Sequence, residues 1–197
     1  GLGDCKKALA ETNGNIEEAI EIIRKKGQAV AAKRSDRDAA EGCVLVKSEN
    51  GFSAILALKC ETDFVAKNAD FVKLAQDILD AAVANKCKSL DEVNALPMGS
   101  HTVAEAVTDR SGITGEKMEL DGYSFIEGDN VAIYDHMGRH MLCTMVQTNK
   151  LAEEQAHNVA MQVAAMNPVA LNEESVPQAV KDEELKVAIE KTKEEQV

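Results

Sequence analysis

The stretch CVLVKSENGFSAILALKC, residues 43–60, contains two strand-forming runs that are rich in Val, Leu and Ile. Between them lies Asn50–Gly51, a pair that adopts the positive φ angles of a tight hairpin turn at little cost. In the segment that follows, apolar residues recur at the spacing of one helix face: Phe71, Leu74, Ala75, Ile78 and Leu79. A hairpin followed by an amphipathic helix indicates an antiparallel sheet covered by a helix, so we predict an α+β fold.

A second region of the chain has the same order of elements. Turns near residues 127–130 and 137–138 divide residues 117–149 into about three strands, and a helix over about 152–166 ends before Asn167–Pro168. Because a hairpin and a helix occur at 43–85 and again at 131–166, the pattern indicates two related α+β units. We therefore predict core units at 42–115 and 116–172, followed by a charged helix at 173–197.

The first 27 residues have the pattern of two short helices. Asp4 is placed to cap the first helix, and Asn15 with Glu18 forms the start of the second. Apolar residues then recur at helical spacing, and Gly27 is typical of a left-handed helix end. We predict a helical module at 1–27 and a basic linker at 28–41. The basic residues of this region are Arg24, Lys25, Lys26, Lys33, Arg34 and Arg37; a solvated surface is their usual role, and an acidic partner is the alternative.

The charge of the chain limits the classes of function. The sequence has 22 Lys and Arg residues against 34 Asp and Glu residues, a formal net charge of -12 at pH 7. Phosphate backbones and anionic membranes repel such a surface, so we expect neither a nucleic-acid nor a membrane partner. Aromatic residues make up only 3% of the chain, which predicts an aliphatic core. No apolar run approaches membrane-spanning length and no signal peptide is visible, so we expect a soluble, cytoplasmic protein.

No residue pattern indicates catalysis or a cofactor. The four histidines and five cysteines are not at metal-ligand spacing, and the sequence has no phosphate-binding or serine-nucleophile motif. The scattered cysteines are typical of reduced thiols. A thiol enzyme would need a cysteine beside a histidine base, which the sequence neither shows nor excludes. We predict a binding protein with no catalytic residue, cofactor or metal.

The segment ETDFVAK, residues 61–67, leaves two roles open for Phe64. Thr62 or Asp63 is placed to cap a helix that begins near Phe64. Because Phe64 precedes Phe71 by seven residues, both side chains fit the buried face of one helix, and the local pattern favours this core role. The alternative is that Phe64 is exposed for a partner.

Four segments together resemble bacterial elongation factor Ts. They are GLGDCKKAL at 1–9, CETDFVAK at 60–67, TGEK at 114–117 and VAMQVAAMNP at 159–168. The first two look like the two signatures of that family, and their order and separation also match. The resemblance is strongest over residues 1–67 and patchier from there to about residue 168.

The resemblance implies a nucleotide exchange factor for elongation factor Tu, the GTPase that carries aminoacyl-tRNA to the ribosome. Such a protein promotes GDP release by disturbing the Mg²⁺ and the phosphate-binding loop of its partner, and it makes or breaks no covalent bond. By similarity, residues 1–27 form a module like the ubiquitin-associated fold that docks on the partner's GTP-binding domain. The resemblance implies that four of its residues dock there: Asp4, Lys6, Lys7 and Leu9.

The resemblance also implies which residues of the core contact elongation factor Tu. Phe64 would enter a pocket between helices of the partner, beside Asp63. The implied contact residues are Thr62, Asp63, Phe64 and Val65 in the signature segment, Thr114 and Gly115 in a second loop, and His136 in the second core unit.

The chain departs from the family at several points. Ala57 and Lys59 replace the usual Glu and Asn of the second signature. The chain also begins after the usual start of the family and stops before its usual end, so we expect a fragment. The charged tail would then be the first arm of a coiled coil, and a homodimer through the core or the tail stays open. The alternatives are a helical adaptor of the ubiquitin-associated type without exchange activity, a thiol-dependent enzyme and, least expected, a nucleic-acid-binding protein.

Overall fold

The N-terminal part of the chain forms two helices. The computed structural model describes residues 1–196, and within them α1 spans Leu2–Glu11 and α2 spans Ile16–Lys33. The side chain of Asn15 caps α2 by accepting from the Glu18 N–H at 3.2 Å, as predicted. Two predictions are wrong. Asp4 lies in the first turn of α1 and not at its cap, and Gly27 lies inside α2, so the first residues of the predicted linker are helical.

A hairpin forms the centre of the fold. Strands β1 (Glu41–Glu49) and β2 (Phe52–Cys60) pair in antiparallel register from Glu41 with Cys60 to Glu49 with Phe52. Asn50 and Gly51 have φ angles of 52° and 73°, which confirms the predicted tight turn. Alternate residues of β2 are buried, because one face of the hairpin packs against the helices.

Two helices follow β2 where the sequence predicted one. Helix α3 is a single turn, Asp63–Ala66, and α4 spans Ala69–Ala84. Asn68 separates them, because its side chain caps α4 by accepting from the N–H groups of Asp70 and Phe71 at 2.9 and 3.4 Å. The predicted apolar face of α4 is confirmed, since Phe71, Ala75, Ile78 and Leu79 are all fully buried.

The next elements connect the core to the N-terminal helices. They are α5 (Leu90–Ala95), the short strands β3 (Pro97–Met98) and β4 (His101–Thr102), and α6 (Val103–Thr114), which is longer than the predicted helix around 103–109. Helix α2 packs against α6, and a Cβ atom added to Gly112 would lie 2.3 Å from the Cα of Gly27. Gly27 is therefore a site of close helix packing and not a helix end. The Arg24 guanidinium adds an ion pair across this contact, at 2.8 Å from Glu105.

The remaining strands form the predicted three-strand region. Strand β5 (Glu119–Glu127) pairs with β2 and completes a sheet of order β1-β2-β5, so it lies in the sheet of the first unit although the sequence assigned it to the second. Strands β6 (Val131–Asp135) and β7 (Cys143–Gln147) form a separate antiparallel pair. The backbone N–H of Val44 in β1 donates to the carbonyl of His140 at 2.7 Å and connects the two sheets. The division into two core units stays a prediction.

The core is aliphatic apart from two phenylalanines. Phe52, Leu56 and Leu58 of β2 pack with Phe71, Ile78 and other residues of α4. Helix α7 (Glu153–Met166) confirms the helix predicted after the second hairpin. It contacts β7, where the buried Thr144 hydroxyl donates to the carbonyl of Ala160 at 2.9 Å.

Within the described residues, 165–196 form a second compact unit, and the last residue of the helix predicted at 173–197 lies outside the described residues. Within this unit, a short 3-10 turn at Glu173–Ser175 precedes α8 (Gln178–Glu195), a helix with no buried side chain. This confirms the charged helix predicted near the end of the chain. None of the helices in residues 1–196 is both long enough and apolar enough to cross a membrane.

Candidate partner-binding surface

Phe64 lies on the surface of the protein. Its side chain is 82% exposed, although it belongs to α3, whose next residues, Val65 and Ala66, pack against the core. Thr62 caps this helix by accepting from the Val65 N–H at 3.4 Å. Because α3 ends at Ala66 and Asn68 caps a separate helix, Phe64 does not share the buried face of Phe71. The core interpretation of Phe64 is therefore wrong.

Asp63, beside Phe64, is ion-paired within its own helix. The Lys67 ammonium lies 2.9 Å from its carboxylate. The hydrogen bond from Lys67 lowers the pKa of Asp63 below its usual value, so this carboxylate is charged at neutral pH. A hydrophobic ring and a carboxylate that is paired with Lys67 therefore belong to consecutive residues of one helical turn.

The structure brings Thr62 close to the second predicted loop. Helix α6 ends at Thr114, and Gly115 adopts a left-handed conformation with a φ of 74°. The next residue, Glu116, accepts a hydrogen bond from the Thr62 hydroxyl at 2.5 Å. The same carboxylate accepts from the backbone N–H groups of Glu61 and Thr62 at 3.0 and 3.1 Å. Two segments that are distant in sequence therefore form one surface.

Sequence reasoning missed the contribution of Glu116 and Glu61 to this surface. The Glu61 carboxylate accepts from the backbone N–H of Lys117 at 2.7 Å, in the opposite direction to the bonds made by Glu116. The segment TGEK contains Glu116, but nothing in its spacing indicates that the side chain bonds to backbone groups more than fifty residues earlier. Contacts of this kind require the tertiary fold.

His136 lies in a different part of the fold. It begins the 3-10 turn His136–Gly138 between β6 and β7, and its Nδ1 atom is 3.0 Å from the Tyr134 hydroxyl. The same connection exposes Met137 and Met141. Within residues 1–196, no hydrogen bond or ion pair joins this turn to residues 61–67. The contact role of His136 stays a prediction.

The N-terminal helices place the predicted docking residues on their surface. Lys6 and Lys7 are exposed, and Leu9 is partly exposed. Asp4 instead bonds to Lys26 across the helix pair. That hydrogen bond, with a contribution from the amino group of Gly1, lowers the pKa of Asp4 to about 2. Large apolar side chains also remain accessible on these helices: Leu2, Ile16, Ile20 and Ile22.

The side chains offer little for covalent chemistry. Among residues 1–196, no group of three His, Cys, Asp or Glu side chains is arranged to hold a metal ion. Burial raises the pKa of the Cys43 thiol to about 11 and those of Cys60 and Cys143 to about 12. An activated thiol needs a lowered pKa, so these three buried cysteines lack the shift that a thiol nucleophile requires.

An exposed aromatic ring on a capped, hydrogen-bonded turn is typical of the anchor residues of protein-binding surfaces. Comparison with known proteins assigns the chain to a family. The family model described as elongation factor TS matches residues 61–197. The chain is 68% identical over 197 residues to elongation factor Ts of Parabacteroides distasonis and 69% identical over 198 residues to that of Bacteroides fragilis. It therefore belongs to the elongation factor Ts family.

These relatives are longer than the chain. Both alignments cover 100% of the chain and 60% of the relative. A third relative, elongation factor Ts of Porphyromonas gingivalis, is 55% identical over 193 residues, which are 97% of the chain and 70% of that protein. The chain thus spans about 60% of the length of the first two relatives.

Proposed function

We propose that this chain is a guanine nucleotide exchange factor in translation elongation, that its partner is elongation factor Tu, and that Phe64 is the centre of the contact. Two observations support the proposal. The chain is 68% identical to a protein named elongation factor Ts, and Phe64 is a large aromatic side chain that is 82% exposed on a turn capped by Thr62. The exposure of Phe64 carries most of the argument, because an aromatic ring that the fold does not bury is available to a partner.

The proposed mechanism is a competition between the exchange factor and the nucleotide. In GTPases of this class, a phosphate-binding loop and a Mg²⁺ ion hold the nucleotide. We propose that Phe64 enters a pocket between helices of elongation factor Tu and displaces the elements that hold the ion and the loop. A protein that binds the nucleotide-free state more tightly than the GDP-bound state weakens GDP by the same factor, because coupling between two sites is reciprocal.

The contribution of Phe64 to the acceleration of GDP release is set by the free energy that its side chain gains on burial in the partner. Complete burial of a phenylalanine side chain contributes about 1.5–3 kcal/mol, and each tenfold change in affinity corresponds to about 1.4 kcal/mol. Phe64 therefore accounts for about ten- to a hundredfold of acceleration. A larger acceleration requires other contacts.

We propose that the other contacts come from three places. We refer to α3, the helical turn Asp63–Ala66, as the Phe64 turn. Thr114 and Gly115 lie next to it, because Glu116 bonds to Thr62 at its start. His136 in the β6–β7 connection and the N-terminal helices are further candidates. In those helices the candidate residues are Asp4, Lys6, Lys7 and Leu9. No covalent bond changes in such a reaction, so the proposal requires no catalytic group.

The proposal is tested by the release of a fluorescent GDP analogue from elongation factor Tu. The wild-type chain should accelerate release, and Phe64→Ala should reduce this acceleration about ten- to a hundredfold. Leu171→Ala is the matched control, because Leu171 is also a large apolar residue and is 96% exposed, but it lies outside the proposed contact. Circular dichroism of both variants checks that the fold is retained.

The possible results separate the proposal from its alternatives. Equal loss of activity in the two variants would show that apolar surface in general, and not Phe64, drives the effect. Binding without acceleration by the wild-type chain would contradict exchange activity in this chain. Neither binding nor acceleration would favour the helical adaptor of the ubiquitin-associated type.

A further inference from the structure

We propose that Glu116 is a positioning residue that holds the Phe64 turn in its binding conformation, with Glu61 as its reciprocal partner. The inference rests on the proposed function, because it concerns the conformation in which Phe64 meets its partner. We refer to the paired side-chain-to-backbone hydrogen bonds of Glu61 and Glu116 as the glutamate clasp.

The Phe64 turn needs support from outside itself. Helix α3 has only four residues, and helices this short are unstable alone because the first turn fixes several dihedral angles for few hydrogen bonds. Phe64 adds little burial to the folded state, since its side chain is 82% exposed. Only Val65 and Ala66 attach the turn to the core by packing. The entry of the chain into the turn must therefore be fixed by polar contacts.

Glu116 supplies those contacts at the entry point. Strand β2 ends at Cys60, so the N–H groups of Glu61 and Thr62 lie beyond the sheet. One carboxylate oxygen of Glu116 accepts from both, at 3.0 and 3.1 Å. The other oxygen accepts from the Thr62 hydroxyl at 2.5 Å. Because the Thr62 hydroxyl donates its proton to Glu116, a lone pair of the Thr62 hydroxyl oxygen is free to accept from the Val65 N–H and cap α3.

The backbone of Glu116 is itself fixed in place. The Ser111 hydroxyl, which is buried, donates to the Glu116 carbonyl at 2.5 Å, and the Glu116 N–H donates to the Thr114 hydroxyl at 3.3 Å. A side chain can hold another segment only if its own backbone is held. The end of α6 therefore serves as the fixed side of the clasp.

Glu61 closes the clasp from the opposite side. Its carboxylate is 15% exposed and accepts from the Lys117 N–H at 2.7 Å. The Arg34 guanidinium at the end of α2 lies 3.4 Å from the same carboxylate. The clasp thus joins the Phe64 turn to the α6–β5 loop and to the N-terminal helix pair. A residue that orders a binding turn raises the fraction of molecules ready to bind, and the apparent dissociation constant falls in proportion to that fraction.

The first test measures the clasp in the chain alone. Amide hydrogen exchange at Glu61 and Thr62 should become about tenfold faster or more in Glu116→Ala, because two backbone donors lose a charged acceptor. Glu116→Gln keeps an oxygen for both donors and should recover most of the protection. Glu92→Ala is the matched control, because Glu92 also accepts from a backbone N–H, that of Lys88 at 2.7 Å, and should leave Glu61 and Thr62 unchanged. Unchanged protection in Glu116→Ala would overturn the proposal.

The second test measures how Glu116 acts on nucleotide release from elongation factor Tu. Glu116→Ala should raise the half-saturating concentration about tenfold and leave the maximal rate near that of the wild type. In a Phe64→Ala background, the same substitution should add little, since a residue that acts through Phe64 has no effect once Phe64 is absent. Additive losses in the double variant would show a direct or general role for Glu116 and overturn the positioning role.

Failure of the two proposals gives different results. If the wild-type chain does not accelerate release, the proposed function fails, while hydrogen exchange at Glu61 and Thr62 still decides whether the clasp holds the turn. If the wild-type chain is active and Glu116→Ala matches it in both assays, only the clasp is contradicted.

Discussion

Replacing Gly112 with alanine should loosen the packing between α2 and α6. The two helices approach at Gly27 and Gly112, where an added Cβ on Gly112 would lie 2.3 Å from the Cα, 3.3 Å from the carbonyl carbon and 3.5 Å from the nitrogen of Gly27. Carbon atoms pack best at about 3.5–4.0 Å. The helices must therefore separate by about 1 Å or more, because the clash is with backbone and no side chain can move aside.

Gly27→Ala is a control with nearly the same chemistry. A Cβ added to Gly27 would lie 3.5 Å from the Gly112 Cα, an ordinary contact distance. Both substitutions replace a helical glycine, and each gains about 0.5–1 kcal/mol from the lower backbone entropy of alanine. Overpacking costs about 1–3 kcal/mol and applies to Gly112→Ala alone. The difference in unfolding free energy between the two variants should thus be about 1–3 kcal/mol, with Gly27→Ala the more stable.

Urea unfolding followed by circular dichroism measures this difference. Gly112→Ala should unfold at a lower urea concentration than the wild type, and Gly27→Ala at an equal or higher one. In thermal unfolding, each kcal/mol corresponds to about 2–4 °C for a chain of this size. If both variants shift by the same amount, or if Gly112→Ala is the more stable, the close approach of α2 and α6 is not present in solution.

Three further predictions concern single groups. Lys26 is the main cause that lowers the pKa of Asp4 to about 2. The Asp4 carboxylate therefore stabilises the folded state above about pH 4 and loses this effect as the pH falls towards 2. An NMR titration should show a higher pKa of Asp4 in Lys26→Ala. Iodoacetamide at pH 8 should modify Cys5 first, because the other four cysteines are buried. Mass spectrometry of the native protein that finds another cysteine modified first would contradict this prediction. Asn68→Ala should lower the unfolding free energy by about 1 kcal/mol through loss of the α4 cap, and urea unfolding that matches the wild type would contradict this role.

Local features of the fold were predictable from the sequence. The hairpin turn at Asn50–Gly51 and the apolar face of α4 depend on residues that are near one another in the chain, so composition and spacing were sufficient. The helix end at Gly27 was predicted wrongly for a physical reason. Glycine is common at helix ends, but here it permits a contact with Gly112 in a distant helix, and no local pattern contains that information.

In the candidate site, too, local features were predictable from the sequence and tertiary contacts were not. The cap at Thr62 was predictable, whereas the exposure of Phe64 was not, because its seven-residue spacing from Phe71 fits one continuous helix. Asn68 starts a new helix, so the buried face of α4 that contains Phe71 does not continue to Phe64 in α3. The pairing of β5 with β2 and the hydrogen bonds of Glu116 likewise depend on the tertiary fold. The resemblance to elongation factor Ts, and not the residue pattern, predicts that Phe64 contacts a partner.

The burial of Phe64 by elongation factor Tu can be measured by ¹⁹F NMR of the chain with 4-fluorophenylalanine in place of all four phenylalanines. The sequence provides its own controls, because Phe52 and Phe71 are fully buried and Phe125 is partly buried, whereas Phe64 is 82% exposed. Assignment by Phe64→Leu identifies the signal. In the free chain, we expect the Phe64 signal to show the largest shift between H₂O and D₂O, and on addition of elongation factor Tu we expect this solvent effect to disappear as the ring is buried. A Phe64 signal that keeps its full solvent effect in the complex would contradict the proposed contact of Phe64 with elongation factor Tu.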